Sequence, residues 1–164
     1  LKITCPVKIA ESLDAKIIQA LHQHSNSNQY DGMDMSICSI DTTTKEIHFT
    51  GARHHMYTYN GSLQKIKGDP FSIGGAQHQG DKVYTSQKID YHENQKLYFL
   101  TDGFCDQSGG EQNKRFGSRG FEKLLSEIHE LDMNEQLKKI EKTFDNWKGE
   151  TKQRDDVLVV GISC

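Results

Sequence analysis

Three carboxylates flank two short apolar runs in this chain. Leu97-Tyr98-Phe99-Leu100 leads through Thr101 into Asp102, and Asp155-Asp156 leads into Val157-Leu158-Val159-Val160. Apolar runs this short, bounded by turn residues, read as buried strands. If the two strands are antiparallel neighbours, the end of the first lies beside the start of the second. Asp102 and Asp155 then converge at one rim of the sheet. Convergent carboxylates offer oxygen ligands to a hard cation such as Mg²⁺ or Mn²⁺. The plainer reading is that an Asp behind a strand is a solvated turn or a helix cap. Position alone leaves both readings open.

The elements that must hold these residues are legible in the periodicity. Ile9, Leu13, Ile17 and Leu21 recur every fourth residue and predict an amphipathic helix. Asn26-Ser27-Asn28 breaks it. Met33, Met35 and Ile37 alternate with polar or small residues as a half-buried strand does. Asp41 to Lys45 is a polar turn, and residues 46–50 are its return strand. Asn60-Gly61, between residues 56–59 and 63–66, signals a hairpin. Residues 68–80 are Gly-rich and read as a loop. Strands are expected over 82–89, 96–101 and 157–162. Residues 107–119, polar and Gly-containing, are expected to be the flexible segment behind Asp102. Phe121, Leu124, Leu125 and Ile128 mark a second helix. Met133, Leu137, Ile140, Phe144 and Trp147 mark a third, capped by Asp132 and ended by Lys148-Gly149. A helix, many antiparallel strands, two helices and a strand make an α+β order rather than alternating βαβ units.

Composition narrows the function classes. The 164 residues fit one domain, and a net charge of −3 gives no electrostatic case for nucleic acid. No apolar stretch approaches the roughly 18 residues that span a bilayer. The four cysteines, Cys5, Cys38, Cys105 and Cys164, have no metal-site spacing and read as reduced thiols. Of the eight histidines, His22 and His24 lie two apart on a helix, and His54 and His55 are adjacent in a strand or turn. Neither pair shares a face, so they read as surface or satisfied histidines. Asp31 and Asp34 suit the turn entering the strand at Met33. Gly74-Gly75 lacks the rest of any phosphate-loop motif.

A longer pattern surrounds the carboxylates. Residues Tyr98 to Gly110, containing Thr101-Asp102-Gly103, resemble the "TDG" region of the stage II sporulation E-type phosphatases of the PPM (type 2C) superfamily. The resemblance continues through Asp31-Gly32-Met33-Asp34-Met35, Phe49-Thr50-Gly51-Ala52, Ile66-Lys67-Gly68-Asp69 with Ile73-Gly74-Gly75, and Lys114-Arg115-Phe116. Asn146-Trp147-Lys148-Gly149 and Gln153 to Ile162 complete it. Two earlier motifs of the complete domain, a Gly-Asp followed by a further Asp and an Asp followed by Gly-His-Gly, are not in the sequence.

The resemblance implies a layered αββα sandwich lacking its early strands, with residues 1–164 as the C-terminal part of a catalytic domain. It implies a metal-dependent protein serine/threonine phosphatase with two Mn²⁺ or Mg²⁺ ions. By motif position Asp102 and Asp155 are the catalytic metal ligands, with Asp156 beside them and Gly103 permitting close backbone approach. The implied partner is a phosphorylated regulatory protein, such as an anti-sigma-factor antagonist, in cytoplasmic signalling without membrane contact by this segment. Without the early ligands, residues 1–164 alone are expected to have little activity. The alternative is a regulatory binding module that keeps the fold without a complete metal centre.

Overall fold

In the computed structural model, which describes residues 4–23, 30–75 and 82–164, the chain opens with α1 (Pro6–Ala20), β1 (Gly32–Met33), β2 (Met35–Asp41) and β3 (Glu46–Ala52). There follow β4 (Met56–Tyr59), β5 (Leu63–Ile66), β6 (Ile73–Gly74), β7 (Gln87–Asp90) and β8 (Lys96–Leu100). The chain continues with α2 (Asp102–Asp106), β9 (Ser108–Gly109), β10 (Lys114–Arg115), α3 (Gly117–Ile128), α4 (Met133–Lys148) and β11 (Val159–Ser163). The breaker at residues 26–28, His24, and residues 76–80 of the Gly-rich stretch lie outside the described residues. The elements fall into two units, residues 1–56 with 65–92 and residues 57–64 with 93–164.

In the first unit α1 begins with Pro6, whose missing N–H would have no partner in a first turn anyway. Its apolar side, Val7, Ala10, Leu13 and Ile17, packs with Met35, Ile37, Ala52, Ile73 and Tyr84. β2, β3 and β7 form an antiparallel sheet, with Met35 opposite Ala52 and Glu46 opposite Asp90. The Asp41 carboxylate closes the β2–β3 turn by accepting from the Thr43 and Thr44 N–H groups at 2.8 and 2.9 Å. Those donors hold its pKa below the ordinary carboxylate value.

The strand expected over 82–89 is ladder-paired only over Gln87–Asp90. The earlier residues are held by side chains instead. Lys82 Nζ donates to Asp14 Oδ1 at 2.8 Å and to the Ser72 and Gly74 carbonyls at 2.9 and 2.5 Å. The Tyr84 hydroxyl and the Gly74 N–H also donate to Asp14. Burial, and then the Asp14 charge, push the Tyr84 phenol well above its ordinary pKa. The Lys82 and Asp14 side chains are only 9% and 15% exposed, so removing one partner strands the other in a poorly solvated site. Asp14→Ala is therefore expected to destabilise the fold by about 3–5 kcal/mol, read by urea unfolding. A loss under about 1 kcal/mol would show that water reaches Lys82 freely.

In the second unit an antiparallel sheet runs in the order β11-β8-β4-β5. The β4–β5 loop is Asn60–Ser62, and Gly61 supplies its positive φ of 73°. The core joins Tyr57, Tyr98 and Phe104 to Phe121, Leu124, Leu125 and Ile128 of α3 and to Ile140 and Phe144 of α4. Asp132 caps α4 as expected, accepting from the Glu135 N–H at 2.8 Å.

Several expectations need correction here. Leu137 is 50% exposed, and the fully covered α4 residue one place earlier is Gln136. Its carboxamide accepts from the Tyr98 hydroxyl at 2.8 Å and donates to the Leu131 carbonyl at 2.9 Å. Burial first of all pushes the Tyr98 pKa up to about 12. The final strand begins at Val159 rather than Val157 and is not buried throughout, with Leu158 58% and Val160 39% exposed. As an edge strand it packs Val159 against the core and leaves Val160, Gly161 and Ser163 exposed, with Ile162 half-buried. Residues 107–119 form the β9–β10 ribbon and the start of α3, with the Phe116 N–H bonded to the Gln107 carbonyl. Antiparallel sheets with segregated helices make the fold α+β.

Candidate metal centre

β8 and β11 pair antiparallel, with Leu100 opposite Val159. The end of β8 therefore lies beside the start of β11, and the chains carrying Asp102 and Asp155 meet at one rim. The pairing extends one step past the regular ladder, because the Thr101 N–H donates to the Leu158 carbonyl at 3.0 Å. Asp102 then opens the short helix α2 rather than a loop.

Thr101 stands at the N-cap position of α2 but makes no side-chain cap. Its hydroxyl is used across the rim. It donates to the Asp156 carbonyl at 3.0 Å and accepts from the Leu158 N–H at 3.0 Å. Gly103 is buried, and an added Cβ there would stand 2.4 Å from the Asp156 carbonyl oxygen and 3.3 Å from Asp155 Cβ. A side chain at 103 would push the two segments apart, so glycine is what lets them meet. Asp102, Asp155 and Asp156 are all exposed at this rim. One Asp155 oxygen accepts from the Asp156 N–H at 2.7 Å.

The donor set fits a hard divalent cation in kind, since carboxylate oxygens at a solvated rim are what Mg²⁺ and Mn²⁺ prefer. In number it is small. Among the described residues no group of three or more His, Cys, Asp or Glu is placed to hold a metal.

Most of the other candidates have local partners. Ser36 Oγ and His54 Nδ1 share a hydrogen bond of 2.7 Å. His55 Nδ1 is buried without one. Burial first, then the charges of Lys65, His54 and Lys67, lower the His55 pKa. Asp34 accepts from the Ser72 hydroxyl, and the Asp31 carbonyl accepts from Gln23. The Gly74 and Gly75 N–H groups are bonded to the Asp14 and Gln23 side chains, which leaves them no free donor for a phosphate. Among the described residues the four cysteines form no disulfide, and Cys38 is half-buried. Sequence reasoning assigned no role to Thr101 or Gln107. Thr101 was visible only as part of a motif, and Gln107 lay in a polar stretch with no periodic signal.

The sequence profile described as Stage II sporulation protein E (SpoIIE) matches residues 2–164. Among solved structures, the SiaA-PP2C domain of Pseudomonas aeruginosa is 27% identical with a TM-score of 0.86. The match covers 98% of this chain and 61% of that one. The RsbU and RsbW domains of Rv1364c from Mycobacterium tuberculosis match at 17% identity and a TM-score of 0.65, over 94% of this chain and 40% of that one. The manganese-presoaked phosphatase domain of the cell fate determinant SpoIIE from Bacillus subtilis matches at 13% identity and a TM-score of 0.58, over 99% and 74%. No curated protein matches the sequence. The fold is therefore that of a PP2C-type phosphatase domain. The chain belongs to the SpoIIE family, and it spans 61% of the length of the SiaA domain.

Proposed function

We propose that this chain is the C-terminal part of the catalytic domain of a metal-dependent protein serine/threonine phosphatase. The observation that carries this reading is the β8–β11 pairing, which brings the Asp102 and Asp155 segments to one rim in a chain of this family. Asp102 and Asp155 would each give carboxylate oxygen to a divalent ion, Mn²⁺ or Mg²⁺. Asp156 shapes the turn through its N–H on Asp155, and Gly103 keeps the two segments close. A bound pair of such ions lowers the pKa of a water toward neutrality and offsets charge on phosphoryl oxygens. Asp102, Asp155 and Asp156 are exposed, as access by a phosphoserine or phosphothreonine on a protein surface would require. The manganese presoak of the Bacillus subtilis relative supports the choice of ion.

The proposed substrate is a phosphorylated regulatory protein, such as an anti-sigma-factor antagonist, in cytoplasmic signalling. The occurrence of RsbU and RsbW domains together in Rv1364c supports a regulatory partner. Among the described residues no helix is long and apolar enough to cross a membrane.

The test is hydrolysis of a phosphoserine peptide by the intact protein. Turnover that rises with added Mn²⁺ and disappears with a chelator is expected. Residues 1–164 alone are expected to turn over little, since two carboxylates leave most of the six positions around Mg²⁺ or Mn²⁺ to water. Metal-independent turnover, or full activity from residues 1–164, would overturn the reading.

A further inference from the structure

Gln107 is 0% exposed, lies just past the end of α2, and belongs to none of the groups assigned above to metal. A buried carboxamide must find partners for both ends. Its Nε2 donates to the Ser108 carbonyl at 2.9 Å and to the Lys152 carbonyl at 3.3 Å. Its Oε1 accepts from the Arg154 N–H at 3.3 Å. The Gln107 side chain therefore bonds the backbone of the residues entering the Asp155 turn. Thr101 bonds the residues leaving it, at Asp156 and Leu158. Asp155 sits between the two attachments, and both attachments flank Asp102 in sequence.

Gln107 is itself held. Its carbonyl accepts from the Phe116 N–H and from Trp147 Nε1, each at 3.0 Å. Trp147 packs edge-on against Phe116, with centroids 5.4 Å apart. A side chain so fixed makes a rigid anchor for a turn that is otherwise exposed from residue 152 to residue 156.

We propose that Gln107 is a positioning residue for Asp155: by bonding the Lys152 carbonyl and the Arg154 N–H, it fixes the turn carrying Asp155 against the segment carrying Asp102. The proposal rests on the metal-site reading above. It predicts an effect on metal affinity from a residue that touches no metal, on the scale known for groups that orient ligands.

The test compares the intact wild-type protein with Gln107→Met, Asp155→Asn and Gln136→Met. Gln136 is an equally buried amide of α4 that bonds Tyr98 instead. Two quantities are read: Mn²⁺ affinity by calorimetry and hydrogen exchange of the Arg154 amide by NMR. Gln107→Met is expected to weaken Mn²⁺ binding about tenfold and to speed Arg154 exchange, because methionine offers that amide no comparable acceptor. Gln136→Met is expected to lower stability while leaving both readings unchanged. Should Gln107→Met fail to fold, Gln107→Asn replaces it. Asparagine stays uncharged but is one methylene shorter, so it cannot reach both the Lys152 carbonyl and the Arg154 N–H, which lie at 3.3 Å already; faster Arg154 exchange and severalfold weaker Mn²⁺ binding are expected. Wild-type affinity in the folded Gln107 variant, with Asp155→Asn weakened, overturns the positioning role alone. A wild type that binds no Mn²⁺ overturns the metal-site reading and this role with it.

Discussion

Asp102→Asn and Asp155→Asn are each expected to lower kcat of the intact protein by about a hundredfold or more, the scale on which groups that stabilise transition-state charge act. Asparagine matches aspartate in size and keeps one carbonyl oxygen. At position 155 that oxygen can still accept from the Asp156 N–H, which the Asp155 carboxylate now does at 2.7 Å. What each substitution removes is negative charge on a ligand. Both side chains are exposed, so folding should change by no more than about 0.5 kcal/mol. Neutralising one of two carboxylates at the same rim also relieves repulsion when no cation is bound. Asp156→Asn should have a smaller effect, since the rim geometry uses the Asp156 backbone carbonyl and N–H rather than its carboxylate. Phosphopeptide turnover at saturating Mn²⁺, with urea unfolding as the control, checks all three. Near-normal turnover in both Asp102 and Asp155 variants, with folds intact, would favour a regulatory binding module over an enzyme.

The frame of this site was legible in the sequence because its signals are local. The apolar run ending at Leu100 and the one beginning at Val157 carry strand character in their own residues. Asp132 announces a helix start, and Asn60-Gly61 announces a turn. The strand pairing followed once antiparallel order was assumed, and Leu100 does lie opposite Val159. What the sequence hid depends on distant partners. Thr101 carries no local signal beyond its place in the motif, yet its hydroxyl bonds residues 156 and 158. Gln107 reads as part of a polar loop, yet it is buried because Lys152, Arg154 and Trp147 supply its partners. Gln136 took the inward place that hydrophobic periodicity gave to Leu137, because the Tyr98 hydroxyl needs a buried acceptor. Periodicity ranks residues by apolarity and cannot see a polar group that is satisfied from another element.

The same distinction decides where the second unit is most easily broken. Sequence periodicity puts Trp147 in the core stripe of α4 and gives its truncation a cost of roughly 3–5 kcal/mol. The structure moves that expectation to Phe104. Phe104 is 0% exposed, and its ring lies 5.1 to 5.2 Å from those of Phe116, Phe121 and Phe144. Phe104→Ala removes a full aromatic burial, leaves a cavity, and forfeits ring pairings worth about 0.5–1.5 kcal/mol each. A total of about 3–5 kcal/mol is expected, the usual range for a buried Phe→Ala. Trp147 is half-buried and packs on one flank, against Phe116 and the β9 segment. Its truncation is expected to cost roughly 1–3 kcal/mol, including the indole N–H bond to the Gln107 carbonyl at 3.0 Å. Urea unfolding of the two variants orders them directly, and a Trp147→Ala loss larger than that of Phe104→Ala would return the centre of the core to α4. Phe104 directly follows Gly103, so a collapse around its cavity also draws on the backbone that meets Asp156. Phe104→Leu, which keeps most of the volume, should therefore retain turnover that Phe104→Ala loses, even at a temperature where both are folded.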